Sequence, residues 1–140
     1  MAYIWNSILE TGHEKIDEQH HQLLDALNNI ALAFWEERGA EEIFKTLKFL
    51  TDYTIMHFST EEELMEKYNY KGFSGHKKSH DDFKITVTEL TKKLQEEAPD
   101  SDFIVNVTTI IGDWLISHIK VDDKKMVSYI LASDEQFTQI

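Results

Sequence analysis

The sequence contains no cysteine, so disulfide bonds, iron–sulfur clusters and thiolate zinc sites are all excluded. Only one proline, Pro99, and five glycines interrupt its 140 residues, which leaves little to break long helices. No apolar run approaches the roughly 20 residues that a membrane-spanning helix requires. Any metal site in this chain must therefore use nitrogen and oxygen ligands.

Basic residues are scarce, because 14 Lys and Arg stand against 26 Asp and Glu, giving a net charge of −12. Nucleic acids and anionic membranes bind clustered positive charge, so we expect neither as a partner. The first residues have neither the basic segment nor the long apolar stretch of a secretory signal. We expect a cytoplasmic monomer in which residues 1–140 form one domain of ordinary size.

Apolar residues recur at steps of three and four along most of the chain, which is the pattern of amphipathic helices. Asp17 is the predicted N-cap of the first helix, and Ser101 or Asp102 that of the fourth. This periodicity predicts an all-α fold. Short connections between the helices predict that they pack as an up-down-up-down four-helix bundle. The four helices are predicted over about residues 17–37, 40–67, 74–97 and from about 102 onwards.

Both ends of the chain are predicted to pack on the bundle. The tail from Val127 to Ile140 is predicted as a short helical segment that caps the bundle, with a partner surface as the alternative. The first residues show no clean apolar period and are predicted to form an N-terminal arm over the bundle. The apolar residues of this arm are Tyr3, Ile4, Trp5, Ile8 and Leu9.

Six residues that could bind metal fall on helix stripes that should otherwise be apolar. A buried imidazole or carboxylate without a partner costs on the order of several kcal/mol. The pairs in the second and third helices are spaced four residues apart, which places each pair on one helix face. The bundle gathers all six at one end, so a metal cluster is favoured over histidines that bond to each other or to the backbone. The six are His20, His57, Glu61, His76, His80 and His118.

Helix geometry leaves open which carboxylate the fourth helix contributes. Asp122 follows His118 by four residues and shares its face, whereas Asp123, five residues on, lies roughly 140° away. Spacing alone therefore favours Asp122. His13 precedes the first helix and His21 points away from its apolar stripe, so both are expected to be solvent-exposed.

These motifs resemble those of the hemerythrins, specifically the single-domain bacterial hemerythrins, over almost the whole chain. The family's His-x-x-x-x-Asp spacing implies Asp123 rather than Asp122 as the seventh ligand, which a local bulge or an overwound turn would accommodate. The matching motifs are Ile16-Asp17-Glu18-Gln19-His20, His57-Phe58-Ser59-Thr60-Glu61, His76-Lys77-Lys78-Ser79-His80 and His118-Ile119-Lys120-Val121-Asp122-Asp123.

The resemblance implies two iron ions per chain joined by an oxo or hydroxo bridge, with reversible O2 binding at the ion that keeps an open position. An O2 pocket should be dry and apolar. Its candidate walls, which ordinary core packing would also explain, are Leu23, Phe58, Phe83, Trp114, Leu115 and Ile119. The implied ligands are His76, His80 and His118 for one iron, His20 and His57 for the other, and Glu61 and Asp123 as bridges.

The function that this resemblance implies is O2 carriage without catalysis, for storage, transport or delivery to an O2-consuming enzyme. A competing interpretation is a di-iron oxidase, peroxidase or nitric oxide-handling enzyme. Oxygen-activating bundles typically supply four carboxylates through Glu-x-x-His motifs, whereas this chain offers two inward carboxylates and five histidines. An O2 or redox sensor and an iron store are two further hypotheses.

Overall fold

Four long helices form the body of the protein in a computed structural model that describes residues 3–138, with side chains described from 3 to 133. α4 continues through a π-helical turn into a fifth helix, and a short 3-10 helix precedes α1. The helices are α1 (Glu14–Trp35), α2 (Ala40–Lys67), α3 (Phe73–Glu96), α4 (Ser101–His118) and α5 (Lys124–Thr138), with the π-turn at Ile119–Asp123 and the 3-10 helix at Ser7–Leu9.

The four long helices pack as the predicted up-down-up-down bundle. α1 lies against α2 and α4, and α2 also lies against α3. No strand occurs between residues 3 and 138, so the all-α prediction is confirmed. None of the described helices is both long and apolar enough to cross a membrane.

α1 begins ahead of Asp17, so the prediction that Asp17 is the N-cap is wrong. The cap is His13, whose ring Nδ1 accepts a hydrogen bond from the Ile16 N–H at 3.3 Å. The Asp17 carboxylate points back along the chain and accepts from the N–H groups of Thr11 at 2.9 Å and Gly12 at 3.2 Å. Asp17 therefore holds the entry loop instead of opening the helix.

The cap of α4 also differs from the prediction by one or two residues. Asp100 accepts a hydrogen bond from the Phe103 N–H at 2.8 Å, which is the usual contact of an N-cap carboxylate. Ser101 and Asp102 lie within the first turn of the helix. α2 and α3 begin and end within about one residue of their predicted positions.

The N-terminal arm is fastened to the bundle by Tyr3. Its backbone N–H donates to the Asn28 side-chain oxygen and its carbonyl accepts from the Asn28 amide, both at 2.8 Å. The Tyr3 hydroxyl donates to the Thr108 carbonyl at 3.3 Å. The ring can lie there because Gly112 has no Cβ, which would overlap it. This close approach is the reason for a glycine inside α4.

The predicted arm and tail are both present as packed elements. Leu9 is fully buried and Trp5 is half-buried, whereas Ile4 and Ile8 of the arm remain exposed. The beginning of α5 closes the end of the bundle where the polar residues gather. Its buried residues Met126, Val127 and Ile130 pack with Ile16 and Met65. The side chains of the tail beyond residue 133, and residues 139–140 altogether, lie outside the part of the chain that the structure describes.

Candidate metal centre

The structure brings all seven candidate ligands together in the interior of the bundle. None of these side chains is more than 6% exposed, and Glu61, His80 and Asp123 are 0% exposed. Each of the four long helices and the π-turn contributes at least one of them. The seven are His20 on α1, His57 and Glu61 on α2, His76 and His80 on α3, His118 on α4 and Asp123 on the π-turn.

The seven side chains divide into two overlapping groups, within each of which the possible ligand atoms lie no more than 4.8 Å apart. We call them the three-histidine subsite and the two-histidine subsite. Both groups include the same two carboxylates, which therefore lie between the subsites. The three-histidine subsite comprises His76, His80, His118, Glu61 and Asp123, and the two-histidine subsite comprises His20, His57, Glu61 and Asp123.

In the three-histidine subsite the Nε2 atoms converge on one point. Nε2 of His118 lies 3.1 Å from Nε2 of His76 and 3.1 Å from Nε2 of His80. Glu61 Oε1 lies 3.1 Å from Nε2 of His76 and 3.0 Å from Nε2 of His80. Asp123 Oδ1 lies 3.1 Å from Nε2 of both His76 and His118. This arrangement leaves a common centre that all five side chains face.

In the two-histidine subsite the other oxygens of the same carboxylates are used. Glu61 Oε2 lies 2.8 Å from Nε2 of His57 and 3.4 Å from Nε2 of His20. Asp123 Oδ2 lies 2.9 Å from Nε2 of His20. Each carboxylate thus directs one oxygen toward each subsite, which is the geometry of a bridge between two cations.

Several of these buried atoms are close to one another without making hydrogen bonds. Both ring nitrogens of His20, Nδ1 of His118, Oε2 of Glu61 and both oxygens of Asp123 lack a hydrogen-bond partner among the described residues. Buried polar atoms in this state are costly, and cations would satisfy them. Imidazole and carboxylate together suit iron, zinc, copper or manganese, so these residues fit a pair of such ions.

The carboxylates set the electrostatics of the cluster. Burial alone would lower the pKa of His20 and His76, but Asp123 and Glu61 outweigh it and raise each pKa to about 9. The same balance raises the pKa of His118 to about 10. Burial would raise the pKa of Glu61 and Asp123, yet the surrounding histidines hold both well below their usual range. The cluster therefore holds protons in the places where metal ions would lie.

The outward Nδ1 atoms of three histidines lie beside side-chain oxygen atoms, a role that the sequence analysis assigned to none of these neighbours. An acceptor at Nδ1 keeps the proton on that nitrogen and leaves the Nε2 lone pair facing inward, as a metal ligand requires. The hydrogen-bonded pairs are His57 with Gln19 at 2.7 Å and His80 with Glu62 at 2.9 Å, and His118 forms an ion-pair contact with Asp122 at 3.0 Å that lacks hydrogen-bond geometry.

Asp122 and Asp123 have exchanged the roles that helix geometry alone assigned to them. A π-helix has a wider turn than an α-helix, and the turn at Ile119–Asp123 carries Asp123 onto the face of His118. Asp122 contacts His118 as its spacing predicts, but at the outward nitrogen. The family spacing therefore selects the inward residue, and the turn is a bulge, not an overwound turn.

The two remaining histidines lie outside both subsites. His13 caps α1 and is half-buried, so the expectation that it is exposed is wrong. His21 is exposed as expected, and its ring stacks on Trp5 with centroids 3.9 Å apart.

Aromatic rings cover the three-histidine subsite. Phe58 stacks on His80 with ring centroids 3.8 Å apart, and Trp114 stacks on His118 at 4.4 Å. Phe83 stacks in turn on Trp114 at 3.9 Å. Among the remaining candidate pocket residues, Leu23 and Leu115 are buried in the hydrophobic core that contains Phe58 and Phe83. Ile119 packs instead with Leu9 and Leu24.

The fold and the cluster together define a class, the four-helix bundles with a buried group of histidine and carboxylate side chains. The family model described as "Hemerythrin HHE cation binding domain" matches residues 11–130. The chain belongs to the hemerythrin family. This match spans every one of the seven clustered residues.

Named relatives agree with this membership. The chain is 31% identical over 136 residues to a bacteriohemerythrin of Stenotrophomonas maltophilia (strain R551-3), covering 97% of this chain and 86% of the relative. It is 30% identical over 123 residues to the myohemerythrin of Theromyzon tessulatum, covering 88% and 89%. A crystal structure of wild-type hemerythrin matches with a TM-score of 0.78 and 29% identity, covering 93% of this chain and 98% of that chain.

Proposed function

We propose that this chain binds O2 reversibly at a non-haem di-iron centre with a bridging oxo or hydroxo group. The observation that carries the proposal is the division of two carboxylates between two histidine groups. Oε1 of Glu61 faces one subsite and Oε2 the other, and the two oxygens of Asp123 are divided in the same way. A single-metal site would need no such arrangement.

The unequal number of histidines gives the two ions different roles. His76, His80 and His118 would fill the coordination of one iron, whereas His20 and His57 would leave a position open on the other. Family membership supports iron as the metal, since the donor set alone also suits zinc, copper or manganese. When bound, the iron pair supplies the electrons that hold O2 and recovers them when O2 leaves.

The apolar surroundings favour carriage over reaction. A bound oxygen species is protected from further reduction and from loss as hydrogen peroxide when protons and water are kept away from it. Phe58 and Phe83 are at most 2% exposed and Trp114 stacks on His118, so these rings shield the three-histidine subsite, which shares both carboxylates with the subsite of the proposed O2-binding ion. We include in the proposed pocket all six candidates, Leu23, Phe58, Phe83, Trp114, Leu115 and Ile119.

The ligand set argues against the enzyme hypotheses. The clustered groups contain five histidines and two carboxylates, fewer carboxylates than the four typical of oxygen-activating di-iron bundles. We therefore propose a single-domain, monomeric, cytoplasmic carrier that serves O2 storage, transport or delivery to an O2-consuming enzyme. The oxidase, peroxidase, nitric oxide and sensor roles are left as outcomes of the test.

The test is an anaerobic visible absorption spectrum of the reduced, iron-loaded protein, repeated after O2 is added and again after O2 is removed under inert gas. A carrier should hold two irons per chain and show a band that appears with O2 and fades when O2 is withdrawn. Irreversible oxidation with continued O2 consumption would favour an enzyme. Absence of bound iron would contradict the metal centre itself.

A further inference from the structure

Two of the three outward nitrogens at the three-histidine subsite face carboxylates. Oε2 of Glu62 lies 2.9 Å from Nδ1 of His80 in a hydrogen bond, and Oδ2 of Asp122 lies 3.0 Å from Nδ1 of His118 as an ion-pair contact without hydrogen-bond geometry. The two carboxylates come from different segments, α2 and the π-turn. Lys77 Nζ lies 3.9 Å from the other oxygen of Glu62, but its hydrogen bond is to Asp81 at 2.9 Å, so His80 is the closer partner of the Glu62 carboxylate.

The outward nitrogens at the two-histidine subsite lack such charges. Nδ1 of His57 donates to the neutral amide oxygen of Gln19 at 2.7 Å. Nδ1 of His20 has neither a hydrogen bond nor an ion-pair contact with any residue that the structure describes. Gln19 is itself buried, and its amide nitrogen donates to Thr60 Oγ1 at 3.5 Å, which fixes the oxygen toward His57. The two subsites therefore differ in the charge behind their ligands as well as in the number of histidines.

A carboxylate that accepts a hydrogen bond from a ligand histidine orients the ring and raises its basicity, which strengthens metal binding. Building on the proposed metal centre, we propose that Glu62 and Asp122 are positioning residues that make the three-histidine subsite the tighter one, so that the two subsites fill in a fixed order. The first ion occupies the three-histidine subsite, and the ion with the open position binds second and is lost first.

Titration of the metal-free protein with Co2+ tests this order. Co2+ accepts nitrogen and oxygen ligands, its visible absorption reports its coordination, and its electron paramagnetic resonance signal changes when two bridged ions couple. The wild-type protein should bind two ions in two separate steps. An uncoupled signal should grow up to one ion per chain, and coupling should appear only with the second ion.

Variants that remove only the charge of Glu62 and Asp122 distinguish an effect on the ligand histidines from a general role in folding. Glu62→Gln combined with Asp122→Asn keeps an acceptor oxygen beside each ring and should weaken the first step by roughly 10- to 100-fold, with the second step unchanged. Glu63→Gln is the control for charge removal on α2, because it removes one carboxylate at the exposed position next to Glu62 and should change neither step. Gln19→Glu adds a carboxylate behind His57 and so tests the opposite change. It should tighten binding of the second ion and reduce the difference in affinity between the two steps. Circular dichroism of each metal-free variant confirms that its fold is retained.

The outcomes distinguish this proposal from the one on which it rests. Two bound ions with coupling already present at half loading would overturn the fixed order while leaving the metal centre intact. A charge-removed variant that binds the first ion as tightly as the wild type, or that weakens both steps equally, would overturn the role of Glu62 and Asp122. Failure of the wild-type protein to bind Co2+ would overturn both proposals.

Discussion

Nε2 of His118 lies 3.1 Å from Oδ1 of Asp123, although the two residues are five positions apart in the chain. On a regular α-helix that separation is a rotation of roughly 140°, which would point the two side chains in different directions. The π-turn takes up the extra residue and lets both face the cluster. The irregular turn is therefore a structural requirement of the site.

Replacing Asp123 should reduce the number of bound ions, whereas replacing Asp122 should not. Asp123→Asn leaves one oxygen where two now face separate subsites, so we expect fewer than two irons per chain after dialysis. Asp122→Asn should still hold two irons at saturating metal, since Asp122 contacts His118 at its outward nitrogen. Metal analysis by mass spectrometry checks both variants. Two irons in Asp123→Asn would contradict the assignment of Asp123 as a bridge.

Removing a clustered histidine should have a different effect from removing an exposed one. His57→Ala removes one of the two histidines of its subsite, so we expect loss of that ion and of O2 binding. His21→Ala should keep two irons and the O2 spectrum, because His21 is exposed and stacks on Trp5. Iron content and the O2 difference spectrum are measured together. A metal-free His21→Ala protein would show that the ligand set is wrong.

The metal-free protein should be most stable in weakly acidic solution. The pKa values of His20, His76 and His118 rise from 6.5 to about 9 or 10 in the fold, so their contribution to stability is complete below about pH 6.5 and is lost as pH rises through 9 to 10. Glu61 and Asp123 have lowered pKa values, so their contribution is present above the ordinary values of 4.5 and 3.8 and is lost as pH falls further.

The thermal unfolding midpoint of the metal-free protein should therefore decrease as the pH is raised from 7 to 10. Zinc-loaded protein is the control, because Zn2+ competes with protons for the same nitrogens and binds more tightly as pH rises. Its midpoint should increase between about pH 5 and pH 8. Scanning calorimetry of both forms measures these slopes. A metal-free midpoint that rises from pH 7 to pH 9 would contradict the raised histidine pKa values.

Trp114 should report metal binding by its fluorescence. Its ring stacks on His118 with an angle of 14° between the planes, so Co2+ at the three-histidine subsite would quench it at short range. Trp114→Phe should remove most of the quenching. Trp35→Phe is the control, because Trp35 is 63% exposed and follows His20 by 15 residues, roughly 22 Å along α1. Equal quenching in wild type and Trp114→Phe would contradict this geometry.

The cluster could be predicted from the sequence because its members interrupt apolar stripes. Glu61 and His80 occupy positions where a leucine or phenylalanine would be expected, and both are 0% exposed. A polar residue at such a position needs a partner when it is buried. Several such residues at one end of the bundle therefore indicate a ligand that they share. Helix periodicity supplies this information without any knowledge of loop geometry. All five clustered histidines lie on such stripes, and all five are buried.

Features that depend on local competition between hydrogen bonds could not be predicted in this way. Asp17 has a carboxylate suited to an N-cap, but the N–H groups of Thr11 and Gly12 bind it instead. The role of Glu62 depends on which nitrogen of His80 points outward, which spacing does not reveal. Asp123 required the family's spacing, because a π-turn has no signature in apolar periodicity.

The measurement that tests the central claim most directly is a crystal structure of the iron-loaded protein with anomalous diffraction data collected at the iron edge. We predict two iron peaks per chain, both contacted by Glu61 and Asp123. One peak should be bound by His76, His80 and His118, and the other by His20 and His57. A single peak, or an iron bound by Gln19, Glu62 or Asp122, would contradict the account.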